Sequence, residues 1–264
     1  MAVVIPALDA SRSANLAHLL EDLKSQTLLP VEIEVVQGVQ PNGKARNVGV
    51  DRTTAEYLVF LDDDVRLGST DVIEKFVSHL AQIERLGLVG TSQLLPLDSS
   101  SFQRQCANQL SRSQSAVVDV LTDSDMVTTQ CCAIRRSVLE EVGRFHDRIL
   151  RGVDPELRLR VRQAGYRIAV APQAWHYHPM PRSLKALLRM ALRDGAASAF
   201  ARKHFPETIV YNPEGHVAEF EAQPPRWKRI MRKLLGVLRD LASGRWIGVL
   251  YQAAYTLGYL RGGK

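Results

Sequence analysis

Cysteine is scarce: the 264-residue chain has three, Cys106, Cys131 and Cys132. Two adjacent thiols and one distant one make neither a disulfide framework nor a Cys-x-x-Cys zinc site, so a reducing compartment is expected. Long apolar runs are missing too, and no stretch reaches the roughly 18 residues of a membrane-crossing helix. The opening "MAVVIPALDA" has no basic region and reaches Pro6 after four apolar residues, unlike a secretory leader. Aromatic residues are only 6% and are not interleaved with basic ones, which argues against a stacking platform for nucleic acid. No repeat is visible at solenoid periods. What remains, with 45% hydrophobic and 23% charged residues, is a globular chain long enough for a full core. It is expected in the cytoplasm.

The net charge of +6 does not by itself choose between nucleic acid, anionic lipid and a phosphorylated ligand. Its distribution says more. Beyond Pro224-Pro225, Arg226, Lys228, Arg229, Arg232, Lys233 and Arg239 stand against a single acid, Asp240. Trp227, Ile230, Met231, Leu234, Leu235, Leu238 and Leu241 recur there at three- and four-residue steps, the pattern of an amphipathic basic helix. Residues 1–222 are therefore read as one globular domain and 223–264 as a helical tail. The tail suits an anionic membrane surface at the inner face of the membrane; it suits equally the globular core or another subunit.

The first half alternates short apolar runs with amphipathic ones. "AVVIP", "VEIEVV" and "YLVFL" read as strands, and Ala14 to Leu23, "GKARNVGVDRT" and Ser69 to Ile83 as helices between and after them. This order predicts an α/β fold with a mainly parallel sheet flanked by helices. Ligands gather at the carboxyl ends of such strands, where Pro6 to Asp9 and Asp62 to Asp64 fall. The polar stretch from Asp98 to Asp125 reads as a loop over a site. Further on, "RRSVLEEVG" and Asp154 to Ala164 read as helices, and "YRIAVAP" as a strand that continues into "AWHYHP".

Three consecutive carboxylates, Asp62, Asp63 and Asp64, repel one another. If the strand persists, Asp62 and Asp64 share one face and Asp63 takes the other. A hard divalent cation between the outer pair would relieve the repulsion, whereas a bare acidic triplet is also what a solvated turn looks like. Asp154 precedes Pro155, a favoured helix start, so a capping role is expected of it. If the segment is extended, His176 and His178 share a strand face and could ligate a metal, whereas such a pair beside a proline is more often structural.

The serial order of "VVIPALD", "GKARNVGV", the triplet, "CCAIRRSVLEEVGRF", "GVDPELRLRVRQAGYRI" and "AWHYH" resembles the inverting nucleotide-sugar glycosyltransferases of family 2, which have the GT-A fold. The resemblance covers roughly residues 2 to 181. It implies single-sugar transfer from a nucleoside-diphosphate sugar, a UDP-sugar first, to a hydroxyl of a glycan or lipid-linked acceptor in polysaccharide biosynthesis. Mg²⁺ or Mn²⁺ is the implied cofactor. Residue by residue, Asp62 and Asp64 match the outer members of the Asp-x-Asp motif. Donor binding falls to Pro6, Ala7, Asp9, Gln37, Arg46, Asp62 and Asp63. Metal binding falls to Asp64 and His178, and the base role to Asp154, since a sugar hydroxyl needs its proton accepted as it attacks.

Two positions depart from the family pattern. "VVQGVQ" puts Gln37 where an aspartate usually reads the base, and an amide offers both donor and acceptor. Val153 replaces the glutamate expected before Asp154, with Glu156 following instead. The Gln-x-x-Arg-Trp motif of processive synthases is absent, which favours one transfer over polymerisation. The alternatives are a catalytically inactive nucleotide-sugar-binding or scaffold protein of the same fold, and a nucleotidyltransferase, whose glycine-rich signature with lysine is missing after the first strand.

Overall fold

The computed structural model describes residues 1–7, 13–210 and 225–262. Its strands are β1 (Ala2–Ala7), β2 (Glu32–Gln37), β3 (Tyr57–Leu61), β4 (Arg66–Leu67), β5 (Leu86–Leu94), β6 (Thr122–Asp123), β7 (Cys131–Arg135) and β8 (Arg167–Tyr177). Helices α1 (Ser13–Lys24), α2 (Asn42–Asp51), α3 (Val72–Gln82), α4 (Ser101–Gln109), α5 (Arg136–Glu141), α6 (Val153–Gln163), α7 (Leu184–His204), α8 (Arg226–Ala242) and α9 (Trp246–Gly262) complete it.

The strands form one sheet in the order β2-β1-β3-β7-β5-β8-β4, with β6 also paired to β8. β1 is parallel to β2 and β3, and β5 to β8. Only β7, β4 and β6 run against the others, through antiparallel pairs with β3, β5 and β8. The expected mainly parallel sheet is present, and its strand ends converge on one edge.

Alternation along the strands divides the core into two layers. Val3, Ile5, Val59 and Leu61 face Leu19 and Leu23 of α1 and Ile73, Phe76 and Leu80 of α3. Ala2, Val4, Leu58 and Phe60 face the other way, toward Val50 of α2, Val138 and Leu139 of α5, and Leu157 and Val161 of α6. Each such large side chain contributes about 1.5–3 kcal/mol by leaving water. The result is a helix-sheet-helix sandwich that fixes the carboxyl ends of β1, β2 and β3 side by side.

Two sequence expectations are corrected. The segment 98–125 is not one long loop, because it contains α4, whose Ser100 and Gln103 make a reciprocal capping box. That Ser-x-x-Gln spacing is a helix-start signal visible in the sequence. Asp154 does not cap α6; the helix begins one residue earlier and Gly152 occupies the cap at φ +88°, a conformation that suits glycine. Freed from capping, the Asp154 side chain serves elsewhere.

α9 packs on α7 at very short range. A Cβ built on Gly195 would lie 2.0 Å from the Tyr255 carbonyl oxygen, and one on Gly258 would lie 2.0 Å from that of Leu192. The start of α9 is held on α4, where Gln109 Oε1 accepts from the Ile247 and Gly248 amides at 2.9 and 3.3 Å. Among the described residues, no helix is long and apolar enough to cross a membrane.

Candidate active site

The acidic triplet leaves the strand rather than extending it. β3 ends at Leu61, the Asp62 amide donates to the Gln130 carbonyl at 2.9 Å, and the Asp62 carbonyl accepts from Val65 at 3.2 Å, closing a turn. Mutual repulsion of three carboxylates is easier to bear in a turn than in a paired strand. The turn feeds β4, which pairs with the end of β8. Asp64 is thereby brought to His178, with Oδ1 and Nε2 3.5 Å apart. The His178 amide donates to the Leu94 carbonyl at 3.0 Å, continuing the β8 to β5 register past Tyr177 and fixing the imidazole's root.

Asp62 faces a second partner. Arg46 of α2, 3% exposed, donates through Nη2 to Asp62 Oδ1 at 2.7 Å and to the Thr129 carbonyl at 3.3 Å. Its guanidinium carbon sits 5.6 Å from the centroid of the Phe145 ring. Burial pushes the Asp62 carboxyl up to about 6, against the pull of Arg46; Asp64 adds to the rise, His178 opposes it, and Asp154 adds a smaller push. Arg46, His178 and Asp154 come from positions far apart in the chain yet act, with the nearby Asp64, on one carboxyl.

Asp154 is tied to the same cluster through Thr129. Its Oδ1 accepts from the Thr129 hydroxyl at 2.5 Å and from the Thr129 amide at 3.3 Å. One helical turn further, buried Arg158 donates to the Val127 carbonyl. Burial holds Arg158 down at about 10, and the neighbouring Asp154 charge opposes that fall. Just before α6, Arg151 Nη1 meets Asp194 Oδ2 of α7 at 2.5 Å and braces the segment that presents Asp154. Thr129 carries no spacing signal in the sequence that reveals its neighbour.

The other expected residues distribute as follows. Pro6 and Ala7 are buried at the end of β1, and Ala7 pairs with Gln37, which is exposed at the end of β2. Asp9 lies outside the described residues. Asp63 is buried at 2% exposure, whereas the Asp62 and Asp64 side chains keep 20% and 17%. His176 is buried, with Nδ1 2.7 Å from the Thr91 hydroxyl. Burial holds it down at about 3, so it is neutral. Glu156 does not stand in for the missing glutamate, since Arg160 grips its carboxylate at 2.5 and 2.7 Å. An open cleft of about 430 Å³ bordered by Glu56, Arg85, Arg135 and Tyr166 lies at the opposite end of the sheet and shares no residue with this cluster.

The mainly parallel sheet with helices on both faces and a helical C-terminal region is the architecture of the GT-A fold. Residues 3–197 match the family described as "Glycosyltransferase like family 2", and the chain belongs to that family. It is similar to the O-antigen chain rhamnosyltransferase RfbN of Salmonella typhimurium (strain LT2), at 23% identity over 175 residues, which is 63% of this chain and 54% of that protein. The chain thus spans about half the length of that relative. In structure it resembles the mannosyltransferase PcManGT from Pyrobaculum calidifontis, solved in complex with GDP-Man and Mn²⁺. That likeness has a TM-score of 0.57 at 15% identity, over 99% of this chain and 86% of that one. S. aureus TarS 1-349 in complex with UDP-GlcNAc is similar at a TM-score of 0.47 and 13% identity, over 72% of this chain and 65% of that one.

Proposed function

We propose that this glycosyltransferase moves a single sugar, with inversion, from a nucleoside-diphosphate sugar to a hydroxyl of a glycan or lipid-linked acceptor. The observation that carries the reading is the convergence at one sheet edge of Asp62, Asp64 and His178 on the donor side with Asp154 on the other, bridged by Arg46 and Thr129. The donor lies across the ends of β1 and β2, with Pro6, Ala7 and Gln37 toward the nucleoside and Arg46, Asp62 and Asp63 toward the ribose and diphosphate; Asp9 is counted with the donor-binding residues on the sequence alone. A UDP-sugar is the first donor to test, and GDP-Man in the mannosyltransferase of the same fold makes GDP-sugars the second.

Asp64 and His178 would hold Mg²⁺ or Mn²⁺. A carboxylate oxygen and an imidazole nitrogen at 3.5 Å make a suitable pair, and among the described residues no third His, Cys, Asp or Glu joins them. The remaining positions fit diphosphate oxygens and water. When bound, the ion neutralises charge on the departing diphosphate.

The chain's own residues do the rest. Thr129 occupies one oxygen of Asp154, so Oδ2 is presented to the acceptor hydroxyl. As that hydroxyl oxygen bonds to the anomeric carbon, its proton passes to Asp154, and the carbon-oxygen bond to the diphosphate breaks with the electron pair leaving on the diphosphate. Attack on the face opposite the leaving group inverts the centre, and no side chain need bond to the sugar. A base of this kind supplies about 10²–10⁴-fold. Asp154→Asn should keep donor binding and lose transfer by that factor; unchanged turnover would remove Asp154 from the role.

The three cysteines are free and buried, which suits a reducing compartment, and we place the enzyme on the cytoplasmic side, peripheral to the membrane.

A further inference from the structure

The tail helix α8 carries a face of exposed apolar side chains. Trp227, Met231, Leu234, Leu238 and Leu241 follow one another at steps of four, three, four and three, so they form one stripe along a helix of about 25 Å. They are 63%, 48%, 54%, 62% and 56% exposed. A run of exposed large apolar side chains is expensive in water and marks an interaction surface.

The charge around the stripe selects its occupant. Six basic residues of α8 stand against Asp240 alone. That acid is turned toward the start of α9, its Oδ1 3.6 Å from Arg245 Nη1, with 16% of its side chain exposed. A second copy of α8 would bring its own excess of positive charge against this one and repel. An anionic bilayer supplies both an apolar phase for the stripe and phosphates for its flanks.

The platform beneath α8 reaches the candidate active site. Arg245 Nη2 donates to the Gln109 carbonyl of α4 at 2.7 Å, and Ile247 is buried with Cys106, Met180 and Leu187. Gln103 of α4 donates to the Met180 carbonyl at 2.7 Å. Met180 is two residues beyond His178, so the foot of the tail is packed beside the strand end that presents the metal pair.

We infer that α8 lies in the headgroup plane of an anionic membrane and holds the Asp64-His178 end of the domain at the bilayer surface, where a lipid-borne acceptor is presented. Only the last clause rests on the transferase reading.

The test is sedimentation of the full chain with vesicles of phosphatidylcholine and phosphatidylglycerol in equal parts, and with phosphatidylcholine alone. Binding to the anionic vesicles only, weakened by salt, is expected. Lys228→Glu and Arg232→Glu should each weaken it by about fivefold or more, and Leu234→Glu with Leu238→Glu should abolish it. Equal binding to both vesicles, or binding indifferent to these substitutions, would overturn the inference. So would self-association by analytical ultracentrifugation that the leucine substitutions dissolve without any vesicle binding, since a second copy would then cover the stripe. A nucleotide-sugar melting shift retained by the variants shows that the domain is folded. Its absence from the unsubstituted protein would count against the transferase reading and leave the vesicle result standing.

Discussion

The Thr129 hydroxyl lies 2.5 Å from Asp154 Oδ1 while the Thr129 carbonyl accepts from Arg46 at 3.3 Å. One residue therefore joins the proposed base to the donor side of the pocket. Hydrogen bonds to a charged group contribute about 1.5–3 kcal/mol, and in the proposed mechanism this one would set which carboxylate oxygen meets the acceptor. Thr129→Val keeps the volume and removes the donor, so kcat should fall by one to two orders of magnitude with the KM for donor nearly unchanged. Thr129→Ser should restore most of the rate. Failure of serine to rescue would indicate that the methyl packing matters and not the hydroxyl.

Arg46 is predicted to matter for stability as well as binding. It is buried against Asp62, and removing one partner of a buried pair costs about 3–5 kcal/mol because the other is left uncompensated. Arg46→Met should lower the unfolding free energy from urea denaturation by an amount of that order, with a lower midpoint, and weaken nucleotide-sugar binding in the same protein. A midpoint within error of the parent would show that Arg46 is not needed by the fold.

The raised carboxyl of Asp62 gives a pH dependence in the metal-free protein. Its value of about 6 in the fold exceeds the 3.8 of a free side chain, so the folded state binds the proton more tightly. The associated stability is fully present below 3.8 and is lost as pH rises through about 6. Between about pH 4 and 6, the window set by these values, the melting temperature of the parent should fall relative to Asp62→Asn. A difference that grows in the opposite direction would mean that Arg46 outweighs burial.

The contact of α9 with α7 yields a packing prediction. Gly258→Ala would set a Cβ against the Leu192 backbone, which cannot yield as a side-chain tip can. Overpacking of this kind costs about 1–3 kcal/mol, measurable by urea denaturation. Gly236→Ala in α8, where nothing lies within 4 Å of the added carbon, should cost nothing or stabilise slightly. Equal effects at the two sites would contradict the α7-α9 packing described here.

Much of the architecture was legible because it follows from local pattern. The apolar runs at Ala2, Glu32 and Tyr57 with helical spacing between them predict the strand-helix alternation, and Trp227 to Leu241 predicts α8. α4 was legible in principle through Ser100 and Gln103, but its polar composition hides the helix. Local pattern failed wherever a long-range partner decides the outcome. Asp154 before Pro155 looks like a cap, yet Gly152 in the left-handed region takes that place and Thr129, twenty-five residues earlier, takes the side chain. The pairing of Arg46 with Asp62 and the burial of Arg158 and His176 depend on which strands adjoin. The order β3-β7-β5-β8 is not written in any one segment.

The central claim, a divalent-dependent nucleotide-sugar site built on the acidic triplet, is tested most directly by a melting-temperature panel of UDP- and GDP-sugars with and without Mn²⁺. At least one nucleotide sugar should raise the melting temperature only when Mn²⁺ is present, and Asp64→Ala should remove the rise. A shift that is the same without the ion, or that survives Asp64→Ala, would contradict that claim.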